Sequence, residues 1–244
     1  MIFMRKLTKK IVFFTITCKF QKPFLLFITQ IKNARIGIAT EFGRQYFRFS
    51  KILKDLDMNY DSILPNQIQN YDGDLLFTTE KEAPENSSIP LLFDDITTKQ
   101  IAVVKGLIIQ KLDSGLNEKT LLLGIDPGQR IGLSVYYLGI HISNTFFMSI
   151  DKLVEYVVSI MAELKAKKKI VKIGNGDMII ANKIFELLNL KFCSNFEIEF
   201  VDEANTTLKI KNYNQRGKRD MLSAQFITQR TGYWRSVLPL SMTG

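Results

Sequence analysis

The chain has 244 residues, enough for two modest domains with a core each, and its 33 basic against 24 acidic residues leave a formal charge of +9. That balance favours an anionic partner, nucleic acid foremost. Two distant cysteines, Cys18 and Cys193, have no CxxC spacing, which argues against zinc and a disulfide framework and for a reducing cytoplasm; the single histidine, His141, reads as a hairpin residue and sets histidine-dependent hydrolysis aside.

Residues 1–33 read as a basic apolar extension. Arg5-Lys6 and Lys9-Lys10 precede the apolar run Ile11–Ile16, in the manner of a signal peptide. The run is short, Lys19 and Lys22 break up the residues after it, and no small-residue cleavage site appears. No window is long and apolar enough to span a bilayer, so no membrane partner is expected.

Residues 34–112 read as a small α/β domain. Ile36–Ala39 is a strand, and Phe42 to Leu56 a helix with Phe42, Tyr46, Phe49, Leu53 and Leu56 on one face. Arg44, Arg48, Lys51 and Lys54 fall among its polar positions. Aromatics interleaved with cations suggest base stacking, but the helical spacing favours core packing. Ser62–Leu64 and Leu75–Thr78 read as strands, Asp72 and Asp74 as a solvated turn, 80–88 as a charged loop and Ile101 to Leu112 as a second helix. The order predicts a parallel pair joined by a right-handed helical crossover. Neither GxGxxG nor GxxxxGK[ST] follows the first strand, so no nucleotide cofactor is indicated. Residues 113–120 read as a linker.

The segment 121–244 has a different texture. Strands are expected at 121–126, 131–138 and 141–149, then a helix at 151–168, a strand at 170–175, a helix at 178–190, a strand at 196–202 and a helix at 217–230. Asp126 ends the first apolar strand, at Gly124-Ile125-Asp126-Pro127-Gly128. Alone, Asp-Pro-Gly is an ordinary turn tripeptide. A carboxylate at the end of a buried strand is nevertheless costly unless a cation lies beside it. Three more acidic positions end regular elements: Asp177 after Ile170–Gly176, Asp202-Glu203 after Phe196–Val201, and Asp220 at the head of the last helix. Carboxylates gathered this way suit Mg²⁺ or Mn²⁺, which take hard oxygen ligands. Lys165, Lys167, Lys168, Lys169 and Lys172 form one basic run, and Lys209, Lys211, Arg216, Lys218 and Arg219 another, just before Asp220.

GIDPG with a following hairpin, the IGNGD strand end, VDEANT and RDMLSA together resemble the RuvC/YqgF branch of the RNase H-like nucleases. IGNGD is similar to the IGNGT of Tex-type YqgF-like domains, which are regarded as non-catalytic binders. The resemblance covers roughly residues 121–232. It implies an RNase H-like mixed sheet flanked by helices, with Asp126, Glu203 and Asp220 as catalytic carboxylates and Asp177 near a further acidic ligand. It also implies hydrolysis of phosphodiesters by two metal ions about 3.5–4 Å apart, with Asp126 bridging them. The family's Asp-Glu-Arg is replaced by Asp202-Glu203-Ala204, so Arg130, Arg216 or Arg219 would face the phosphate in its place. Lys209, Lys211 and Lys218 complete the expected nucleic-acid contacts. The implied substrates are branched DNA or precursor RNA, and junction cutting would require a homodimer. The alternatives are a non-catalytic nucleic-acid-binding module of the same fold and an interaction domain whose carboxylates are surface features.

Overall fold

Apolar runs bounded by turn residues build two separate sheets in the computed structural model, which describes residues 31, 33–113, 119–191, 196–203 and 216–236. The chain divides into two units, one ending at Asp94 and the other beginning at Asp95. The boundary therefore falls earlier than the expected linker at 113–120, and the helix Ile101–Leu112 belongs to the second unit. Its sequence explains this: Ala102, Val103, Val104, Ile108, Ile109 and Leu112 are all buried, so it needs apolar cover around much of its circumference. Among the described residues no helix is long and apolar enough to cross a membrane.

The first unit contains β1 (Ile36–Ala39), α1 (Gly43–Asp55), β2 (Asp61–Ile63), β3 (Leu75–Thr78) and β4 (Leu91–Leu92). All four strands run parallel in the order β2-β1-β3-β4, and α1 connects the expected parallel pair β1 and β2. The central strands β1 and β3 are buried along their whole length, as continuous apolar runs in parallel sheets are. Phe49 of α1 meets Phe77 of β3 edge to face, at 5.6 Å between ring centroids. Ala39 and Leu76 point the other way and pack with Ile68. Asp72 and Asp74 belong to a turn tied to Arg35: the Arg35 N–H donates to the Asp74 carboxylate at 2.8 Å, and Asp72 lies 3.7 Å from the guanidinium. Strand β4 has only two residues, too few for a periodic pattern to reveal.

The second unit opens with α2 (Ile101–Leu112) and then the antiparallel strands β5 (Thr120–Asp126), β6 (Ile131–Tyr137) and β7 (Ile140–Phe147). Next come α3 (Ile150–Glu163), β8 (Lys168–Gly174), α4 (Met178–Lys191), β9 (Glu197–Val201), α5 (Arg216–Gln229) and β10 (Tyr233–Ser236). The mixed sheet has the order β10-β9-β8-β5-β6-β7, with β8 parallel to β5, β9 parallel to β8 and β10 antiparallel to β9. Two details depart from expectation. Helix α3 stops at Glu163, five residues early, and strand β10 adds an unexpected edge beyond β9.

Alternation along the strands divides this sheet into two unlike faces. Leu121, Leu123, Ile125, Leu133, Val135, Tyr137, Val171 and Ile173 are buried on one face. Contacts there lead to α2, α3 and α4: the Tyr137 hydroxyl lies 3.1 Å from Gln110, Ser143 meets the Tyr156 hydroxyl, and Phe200 packs near Phe185. The opposite face carries Gly124, Gly132, Ser134 and Gly174, and α5 covers it. Gln225 of α5 donates to the Tyr136 hydroxyl at 2.8 Å.

The lysine run of β8 is largely consumed within this unit. Lys168 pairs with Glu197 at 3.0 Å, and Lys172 pairs with the buried Glu199 at 3.2 Å while donating to the Arg230 carbonyl. Lys169 donates to the Met161 carbonyl. The acids of β9 thus answer cations of the neighbouring strand. His141 lies on β7 with its ring 5.1 Å from that of Tyr136, and burial, then the Lys105 charge, hold its pKa below the usual histidine value.

The glycine face is a close helix–sheet contact. A Cβ at Gly124 would run into the Ala224 carbonyl oxygen and the Thr228 methyl group. Gly124→Ala is therefore expected to destabilise the unit by about 1–3 kcal/mol, as overpacking does. A lower urea midpoint by circular dichroism is the predicted result; an unchanged midpoint would refute the tight seating of α5.

Candidate functional site

Strand pleat decides which way the first carboxylate points. With Leu121, Leu123 and Ile125 turned to the α2/α3/α4 face, Asp126 is directed with Gly124 toward α5. It ends β5, pairs with Gly132 and is partly buried. Arg130, also partly buried, stands in the connection between β5 and β6, one residue before β6 begins.

Gly132 is where α5 reaches this edge. A Cβ there would collide with the Asp220 carbonyl oxygen. The main chain at Asp220 therefore lies directly against the strand residue paired with Asp126. Two residues separated by ninety-four positions in sequence are brought to one place by the absence of a side chain between them.

The third carboxylate arrives from β9. The parallel ladder between β5 and β8 ends at Ile125–Ile173, so Asp126 and Gly174 are the next residues on adjacent strands. Gly174 pairs with Val201, and the Glu203 carboxylate lies over it, where a Cβ would otherwise be. Asp126, Glu203 and Asp220 thus gather at the carboxyl-terminal edge of the central strands, on the α5 face.

The Gly174-Asn175-Gly176 segment holds Glu203. The Gly176 N–H donates to Oε1 of Glu203 at 3.2 Å. Asn175 Oδ1 accepts the Glu203 backbone N–H at 3.0 Å, and Asn175 Nδ2 donates to Asp202 at 3.4 Å. Arg230, past the end of α5, donates to the Asp202 carbonyl at 2.7 Å. Burial raises the Glu203 pKa, the Gly176 hydrogen bond and the Arg230 charge oppose the rise, and Asp202 adds to it. Sequence reasoning singles out neither Asn175 nor Arg230. Asn between two glycines is the available signal for the first, since that pattern lets backbone approach closely; nothing in the sequence marks the second.

Asp177, expected near a further acidic ligand, caps a helix. Its Oδ1 accepts the Ile180 N–H at 3.1 Å and its carbonyl accepts the Ala181 N–H at 2.9 Å, which makes it the N-cap of α4. Arg216, Lys218 and Arg219 belong to the first turn of α5, immediately before Asp220, but their side chains lie outside the described residues, as do Lys209 and Lys211 altogether.

The three carboxylates offer oxygen donors only, the ligand type of magnesium and manganese. A cation would also offset the cost of keeping Glu203 charged where burial disfavours it. Among the described residues, no three acidic, histidine or cysteine side chains stand close enough together to hold an ion. The edge therefore fits a metal in donor chemistry, while the described side chains do not come together as a ligand set.

A raised pKa means that folded Glu203 keeps its proton to higher pH than the unfolded chain, whose glutamates titrate near about 4.3. Its contribution to stability therefore falls as pH rises through the window above that value. Glu203→Gln keeps an acceptor for Gly176 and removes the buried charge. The variant should show a higher urea midpoint than the native chain at about pH 7.5, and the two should converge near about pH 4. A lower midpoint for the variant at the higher pH would contradict the assignment. No protein-family model matches the chain, and no curated protein matches it in sequence.

Proposed function

We propose that the second unit is an RNase H-like module of the RuvC/YqgF kind that hydrolyses phosphodiester bonds of structured nucleic acid, DNA or RNA, with Mg²⁺ or Mn²⁺. One observation carries the reading: Asp126, Glu203 and Asp220 come from three separate segments to one edge and one face of the sheet. The architecture supports it. Three antiparallel strands are followed by two parallel ones added on the other side of the first, and the last helix packs across the central strands. The resemblance implied this order.

Asp126, Glu203 and Asp220 would hold the cation. Bound there, it supplies Lewis acidity, which lowers the pKa of a water and stabilises the leaving oxygen. The chain's own groups do the positioning. Gly176 and Asn175 fix the Glu203 carboxylate and its backbone, so that it reaches the edge without a flexible search. The seat of α5 on Gly132 sets Asp220 beside Asp126. Arg130, at the end of the β5–β6 connection, would meet a phosphate there.

A second reading has its own support. Asp177 caps a helix, and no closed three-residue ligand group exists among the described residues. Both features suit a module that binds nucleic acid at this edge without cutting it. Cleavage separates the two. Labelled four-way DNA junctions and structured RNA, incubated with Mg²⁺ or Mn²⁺, should be cut by the native chain, while Asp126→Asn should bind them and leave them intact. Binding without cutting by both proteins would reject the nuclease and leave the binding module; equal cutting by both would reject the site.

A further inference from the structure

The outer face of α1 in the first unit is a second charged surface, independent of the carboxylate edge. The helix buries Phe49, Ser50 and Leu53 against its own sheet. Its other side is different. Arg44, Phe47, Lys51 and Lys54 follow one another at three- and four-residue steps, with Arg48 at the margin. Arg44, Lys51 and Lys54 are exposed, and Phe47 is 66% exposed. Among the described residues none of the four cations forms an ion pair. Asp55 is the only acid in the helix.

An aromatic ring left mostly in water costs free energy, and here it is framed by cations instead of apolar neighbours. We propose that this face binds single-stranded nucleic acid, with an unpaired base stacked on Phe47 and the phosphates on either side drawn to Arg44, Arg48, Lys51 and Lys54. From Arg44 to Lys54 the helix rises about 15 Å, so the four cations lie along one short stretch that a few consecutive phosphates of a single strand can follow. An anionic membrane is the poorer partner, because a helix lying on a bilayer needs an apolar stripe and this one has already buried its stripe. Phe47 alone cannot replace it.

The test uses the full chain in EDTA, so the outcome reads the same whether or not the carboxylate edge cuts. Binding of a labelled oligothymidylate is followed by fluorescence anisotropy over a salt series. Replacing Arg44, Arg48, Lys51 and Lys54 together by alanine should make the slope of log affinity against log salt shallower by about 3, at roughly 0.7 per lost phosphate contact. Phe47→Ala should weaken single-strand binding by roughly five-fold or more, with the slope retained, and Phe47→Trp should restore it. Unchanged affinity and slope in these variants would overturn the proposal. So would an equal loss for duplex in Phe47→Ala, which would exclude stacking on an unpaired base. Binding to phosphatidylserine vesicles that depends on Phe47, with oligothymidylate binding unaffected, would assign the face to membranes instead.

Discussion

The structure of the second unit depends on a row of absent side chains. Gly124, Gly132 and Gly174 lie on three consecutive strands of the sheet, β5, β6 and β8, and all face α5. Each missing Cβ is replaced by something brought from elsewhere: the Ala224 carbonyl and Thr228, the Asp220 carbonyl, the Glu203 carboxylate with Ile227. At β5 and β6 the helix backbone therefore rests on the strands themselves, where side chains would ordinarily intervene. Contact this close fixes rotation and height of the helix together, since a one-residue slip would turn Asp220 away from β6. The packing that stabilises the unit is the same packing that brings the Glu203 carboxylate and the Asp220 main chain to the edge where β5 ends at Asp126.

Charge is handled in two ways in this unit. Between β8 and β9, Lys172 pairs with the buried Glu199, and Lys168 and Glu197 pair at the margin. At the edge, Glu203 has backbone and amide hydrogen bonds, but burial still presses its pKa upward. The first arrangement closes the sheet. The second keeps a partly compensated carboxylate in position, a cost that proteins commonly carry where function requires it.

Much of this was legible in the residues. The apolar runs located β5, β6, β7, β8 and β9 to within a few residues, and the end of each apolar run placed Asp126 and Glu203. What the sequence hid was long-range. Helix α2 has the composition of a second helix for the first unit, and only tertiary packing assigns it to the second. Strand β10 is four residues, shorter than a reliable pattern. Asp177 follows a strand in the manner of a ligand, yet a carboxylate at the start of a helix has a nearer use as its cap. The β8 lysines read as a free basic run because their partners, Glu197, Glu199 and the Met161 carbonyl, lie on other elements. In α1, the core face expected from spacing holds at Phe49 and Leu53, which are buried, whereas Phe42, expected on the same face, is 50% exposed, and the spacing gave no reason for Phe47 to remain in water.

Under the proposed function, Asp126, Glu203 and Asp220 form one cation-binding edge. Manganese titration of the isotopically labelled full chain, read by paramagnetic broadening of backbone amide signals, tests it directly. The amides of Asp126, Gly176, Glu203 and Asp220 should broaden together at low metal, ahead of the exposed acidic turn at Asp72 and Asp74. Broadening that begins at that turn, or that spreads evenly over the acidic residues of both units, would contradict it.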